Sequence, residues 1–206
     1  TVEGWLNTIP AGVRFQSPKI YMAFIWMHLL HGNFAQIPPY VERIQEVFSV
    51  SQAGVADPSA KAEWFTLQSF LTGAQGQVAD SLALALQALE IAPAEDSYVQ
   101  SMAYNALAAA YQLADDYEHS LEACQKAILQ GRATGNYFSE IMGFALLVQI
   151  ALQHGQYHFA FETASEGIGR VESIDVQSPI CAILYGALGQ VYYQQHLIEQ
   201  SRGYFL

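Results

Sequence analysis

The sequence predicts an all-α chain, an α–α superhelix of about five helical hairpins stacked side by side. Three observations predict it. Amphipathic stretches come in pairs joined by tight turns. The turns recur at a spacing of about 40 residues, in the range of two-helix repeats. Small residues on the second stretch of a pair answer large residues on the first. Composition agrees: the 206 residues are 52% hydrophobic and 13% charged, enough apolar material for a core and against disorder. No β alternation is long enough to make a strand.

Taken in order, residues 1–17 read as the end of a preceding element and a linker. One repeat domain follows over 18–206, in pairs at about 18–48, 60–92, 97–133, 137–171 and 178–206, the last cut short. Breakers separate the pairs: Ser51 through Pro58, Ala92 through Asp96, Gly131 through Asn136, and Ser173 through Pro179. Asp57-Pro58-Ser59 and Ser178-Pro179 are helix starts, because proline suits the first helical turn. The start at Thr1 and the end at Leu206 inside an apolar pattern read as a piece cut from a longer cytoplasmic protein.

The turns inside the pairs place Gly32, Gly76, Asp115, Gly155 and His196 at one equivalent position. Gly and Asp tolerate the backbone angles that end one helix and begin the next. The apolar residue two places later (Phe34, Val78, Tyr117, Tyr157, Ile198) is expected to drop between the two helices. Small residues then line the second helix: Ser81, Ala85 and Ala88; Ser120, Cys124 and Ala127; Ala160, Ala164 and Gly167. On the first helices, Tyr104, Leu107, Ala108 and Tyr111 match Tyr185, Leu188, Gly189 and Tyr192 at identical offsets from their turns. Phe144, Leu147, Val148 and Ala151 form a weaker copy.

This pattern of aromatic, Leu, small residue and Tyr, then turn, alanines and a closing Pro93, resembles tetratricopeptide repeats over roughly 18–206. The resemblance implies a right-handed superhelix whose first helices line a concave side. The repeats run longer than the usual 34 residues. A narrower resemblance rests on Gly4-Trp5-Leu6-Asn7-Thr8-Ile9-Pro10, Ser17-Pro18, Ala23-Phe24-Ile25-Trp26 and Gly32-Asn33-Phe34. These residues are similar to the start of the sensor region of MalT-type, LuxR-family, ATP-dependent bacterial transcriptional regulators, with Ile9 for a Leu and Asn33 for an Asp. That resemblance implies a sensor between a nucleotide-binding switch and a DNA-binding helix-turn-helix.

Chemistry-bearing motifs are sparse. With a net charge of −11 and only eight scattered basic residues, the chain offers no stripe for nucleic acid. No apolar run reaches the ~20 residues of a membrane span. No P-loop, nucleophile elbow or Cys-x-x-Cys is present, and Gly167-Ile168-Gly169-Arg170 reads as close helix packing. Cys124 and Cys181 read as small buried hydrophobes. His154 and His158 have metal-ligand spacing, but Gly155 breaks the helix between them. His28 and His31 read as solvated helix-end residues. Asp115-Asp116 suits a turn and a cap better than an acid/base pair, and Glu95-Asp96 reads as a helix start.

By resemblance to tetratricopeptide geometry, the groove-facing residues are Met22, Trp26, Glu63, Thr66, Asn105, Ala109, Gln112, Gln149, Gln190 and Tyr193. Amides that both donate and accept suit a peptide or a sugar. The resulting expectation is a non-catalytic sensor segment of a MalT-like regulator, without metal or cofactor. It would bind a protein, a peptide or a small effector such as a sugar, with self-association, and touch neither nucleic acid nor membrane. The rival expectation is a generic tetratricopeptide protein–protein scaffold.

Overall fold

The computed structural model describes residues 17–50, 57–174 and 181–205, with Gly4, Thr8 and Ile9. Trp5 through Asn7, Pro10, the breaker at 51–56 and the Ser178-Pro179 start lie outside the described residues. From residue 17 onward ten α-helices run among the described residues, and no strand. They are α1 (Pro18–Leu30), α2 (Pro38–Val50), α3 (Pro58–Ala74), α4 (Val78–Ile91) and α5 (Ser97–Leu113). Then come α6 (Tyr117–Thr134), α7 (Tyr137–Gln153), α8 (Tyr157–Ile174), α9 (Cys181–Gln194) and α10 (Ile198–Phe205). A 3₁₀ turn, Phe34–Gln36, precedes α2.

Local chemistry sets the helix starts. Asp57 accepts from the Ser59 N–H at 3.1 Å, Asp96 from Val99 at 3.1 Å, Asp116 from His119 at 3.3 Å and Asn136 from Ser139 at 3.2 Å. Each satisfies a backbone donor that the first helical turn leaves unpaired. The helix ends are equally regular. Gly32, Gly76, Asp115, Gly155 and His196 all take left-handed φ values, from 58° to 77°. At each, the next residue's N–H reaches back to a first-helix carbonyl, as in Gln77 to Thr72 at 3.0 Å, Asp116 to Tyr111 at 2.9 Å and Leu197 to Tyr192 at 2.9 Å. This double closure ends one helix and places the cap of the next.

The residues two places beyond these turns do not fill the hairpins. Phe34, Tyr157 and Ile198 are exposed, and Tyr117 leans on the next turn, its hydroxyl donating to Gln156 at 2.6 Å. From the second hairpin onward that position is the first residue of the second helix, whose side chain points back toward the turn. The interior position lies one turn later, at Ile37, Ser81, Ser120, Ala160 and Ser201, all buried. Three serines there donate across the hairpin at 2.8 Å, Ser81 to the Ser69 carbonyl, Ser120 to Ala108 and Ser201 to Gly189.

Except for α2 and α3, helices pack closely on their chain neighbours, and α1, α3, α5, α7 and α9 also pack on one another in a row. This row is the inner layer of an α–α superhelix; the second helices form the outer layer. Small residues bring the layers close. A Cβ on Gly143 would meet Ile128 Cγ1 at 2.7 Å, and one on Gly131 would meet the Glu140 backbone nitrogen at 2.8 Å. Cys124 and Cys181 are buried, and burial pushes the Cys124 thiol up to about 12, which makes it inert.

Candidate functional site

The inner layer divides into a closed seam and an open stripe. Ten residues before the first four turns stand Met22, Thr66, Asn105 and Ala145, which are 0, 0, 0 and 2% exposed. Met22, Thr66 and Asn105 therefore do not face the groove. The position is closed to solvent, and at Asn105 the side chain joins helix to helix. Asn105 Nδ2 donates to the Ser139 carbonyl at 2.9 Å and to its hydroxyl at 2.7 Å, tying α5 to α7. The Thr66 hydroxyl turns back on the Ala62 carbonyl at 2.9 Å.

Six residues before each turn stand Trp26, Phe70, Ala109, Gln149 and Gln190. Exposure grows along this stripe: the first three are half-buried, and the two glutamines are exposed. The stripe begins with aromatic rings and ends in amides. Trp26 meets Phe70 edge-on at 5.5 Å and Phe138 at 5.8 Å, so the first hairpin reaches the start of α7. Gln112 donates to Gln153 at 3.0 Å beside the stripe, and Tyr193 stands 60% exposed at its far end. A hollow of about 220 Å³ opens between α3 and α5, against Phe70, Ala109 and Gln112. Glu63 lies apart, near the helix starts. Burial raises its carboxyl above the usual range; Lys19 opposes this, and Asp96 and Asp57 add to it.

Two features had no sequence signal strong enough to find them. The first is a fully buried carboxylate, Glu140 on α7. It receives Arg132 Nε of α6 at 2.8 Å and Arg170 Nε of α8 at 3.0 and 3.1 Å. Arg132 also reaches Glu166 at 3.3 Å. The second is a cleft of about 570 Å³ between α2 and α3, with Phe34, Val41, Trp64 and Leu71 in its wall.

Elsewhere most of the polar residues singled out by the sequence have structural partners, although His28 Nδ1 is buried without a hydrogen bond. The His154 ring lies 4.2 Å from that of Tyr117, and His158 lies 3.4 Å from Glu162, on opposite sides of the left-handed Gly155. No group of three metal-ligating side chains occurs among the described residues. His31 Nδ1 caps α1 at the Met27 carbonyl, 2.7 Å away. His28 is buried beside Tyr40 rather than solvated. Lys19, Arg43 and Lys126 pair with Asp57, Glu46 and Glu122, which leaves little free positive charge on an acidic surface. No helix among the described residues is long and apolar enough to cross a membrane.

No family model and no curated protein matches the chain. Solved structures do, at the level of fold. A signal transduction ATPase with numerous domains from Pyrococcus horikoshii, which carries a tetratricopeptide repeat sensor, superposes with a TM-score of 0.66 at 15% identity. The match covers 94% of this chain and 32% of that one. Kinesin light chain-type, nearly identical TPR-like repeats from Podospora anserina give 0.61 at 17% identity over 92% of this chain and 96% of that one. The MamA protein gives 0.51 at 17% identity over 91% and 87%. The chain thus has the fold of tetratricopeptide-like repeat proteins.

Proposed function

We propose that the chain is a protein-binding scaffold whose partner lies along the inner stripe. The observation that supports this reading is the uncharged run from half-buried Ala109 through exposed Gln149 and Gln190 on successive first helices, extended by Tyr193. Glutamine amides bond equally well to peptide N–H and C=O groups, so an extended peptide is the natural occupant. Each hairpin contributes one side chain per step, and small rotations between hairpins reset the whole line. The role is one of binding, not of catalysis.

The test is affinity capture with the chain and with the double variant Gln149→Glu/Gln190→Glu. The variant places two like charges on the stripe without touching the core. A partner held by the native chain and lost by the folded variant supports the reading. Equal capture by both, or no partner on either, overturns it.

A second reading narrows the first: a sensor segment of a multi-domain signalling protein of MalT-like plan, responding to a small effector such as a sugar. The sensor-bearing ATPase among the structural neighbours favours it, as does the resemblance of the opening residues. A neutral oligosaccharide that raises the melting temperature in proportion to the logarithm of its concentration would support it. No shift at saturating sugar would leave the scaffold alone.

A further inference from the structure

The cleft between α2 and α3 is a departure from a rule the rest of the chain obeys. Each later second helix packs closely on the next first helix, α4 on α5, α6 on α7 and α8 on α9. Twelve residues before the turn, the first helix carries Ala103 on α5 and Gly143 on α7, where Gly143 has no room for a methyl group, and Leu184 on α9, which packs opposite the small Ala164. On α3 the same position is Trp64, with 6% exposure. The facing position nine residues after the turn is Ala85, Cys124 or Ala164 in later hairpins, all fully buried, and Val41 here. A large residue on each side props the seam open. The 3₁₀ turn adds to this, since α2 starts at Pro38, well beyond Gly32, whereas α4 starts at Val78, just beyond Gly76.

The resulting space of about 570 Å³ lies within the range of small-molecule sites. Phe34, 54% exposed at the mouth, and Trp64 in the wall give it two aromatic surfaces. The Thr72 hydroxyl already bonds the Gln68 and Ser69 carbonyls at 2.9 and 3.1 Å. The amides of Gln68 and Gln75 are therefore the polar groups left to orient a ligand. Glu42 is the one ionisable residue in the lining; its neighbour Arg43 lies outside the lining and is paired with Glu46 at 2.6 Å. An anion would enter against that charge and against the net −11 of the chain.

We infer that this cleft is a binding site, distinct from the inner stripe, for a small aromatic molecule that carries no negative charge. Nile red, neutral, and anilinonaphthalene sulfonate, anionic and of similar size, are the probes. Nile red fluorescence should rise saturably at one site per chain, and the sulfonate should bind at least about tenfold more weakly. Val41→Trp, which fills the cleft, should weaken Nile red by about tenfold or more. Phe34→Ala, at an exposed position that leaves the fold intact, should weaken it measurably. Glu42→Gln should narrow the gap between the two dyes. Gln149→Glu/Gln190→Glu should bind Nile red as the native chain does, which separates this site from the scaffold reading. Absence of saturable binding to the folded chain, equal binding of the sulfonate, or binding indifferent to both cleft variants would overturn the inference.

Discussion

Removing the Glu140 carboxylate should loosen the third and fourth hairpins together. The group is wholly sealed from solvent and is gripped from both sides, by Arg132 of α6 at 2.8 Å and Arg170 of α8 at 3.0 Å. Breaking a buried pair by deleting one partner costs roughly 3–5 kcal/mol, mostly because the other charge stays buried. Here the arginine side chains are 47% and 28% exposed, so both guanidinium groups can turn toward water. The cost for Glu140→Ala therefore falls at the lower end, about 3 kcal/mol. In a chain of this size that corresponds to a fall in melting temperature of about 6–12 °C. Urea titrations of Glu140→Ala, Arg170→Ala and the double variant provide the assay. A coupling energy of about 1–2 kcal/mol is expected between the two sites. The loss should persist at about 0.5 M salt, because a buried pair is screened far less than a surface one. A loss below about 1 kcal/mol, or one that disappears in salt, would refute the clamp.

Other consequences can be measured on the same chain. Gly131→Ala forces a methyl group to within 2.8 Å of the α7 backbone and should destabilise by about 1–3 kcal/mol. Gly169→Ala, with open space around it, should stabilise by up to about 1 kcal/mol in the same melts. Ser120→Ala deletes a hydroxyl that bridges its hairpin, while Ala160 fills the equivalent place naturally; the expected cost by denaturant titration is about 1 kcal/mol. Because the folded Glu63 carboxyl titrates above its unfolded value, the native state holds the proton more tightly. Its contribution is thus favourable below the unfolded value and is lost as pH rises through the folded one. Glu63→Gln should accordingly raise the melting temperature at pH 7 relative to the native chain and give no gain near pH 4; a uniform shift at both would contradict this.

The fold was legible because its punctuation is chemical. Only a few residue types accept a left-handed φ, so Gly32, Gly76, Asp115 and Gly155 mark their turns, and the caps Asp57, Asp96, Asp116 and Asn136 mark helix starts. His196 was placed by spacing and by the match of Tyr185 through Tyr192, since histidine takes a φ of 61° far less readily than glycine. The inner surface was harder to read. Positions ten and six residues before a turn lie only about 40° apart around a helix, so periodicity assigns both to one face. The boundary between sealed seam and open stripe runs between them, which is why Met22, Thr66 and Asn105 fall on the buried side while Gln149 and Gln190 fall on the other. The Glu140 clamp takes one arginine from the helix on either side, 8 and 30 residues away, and no helical periodicity announces it. The cleft did leave a trace, in Trp64 standing where the next two hairpins carry Ala103 and Gly143.

The 5.8 Å approach of Trp26 to Phe138 changes how the chain should come apart. In a strictly linear stack each unit answers only to its neighbours, and heating peels units from an end. Here the outermost hairpin is latched to one three places along, so it cannot fray without also surrendering that distant grip. Melting should be sharper than the length of the array suggests, and loss of the indole at Trp26 should broaden it.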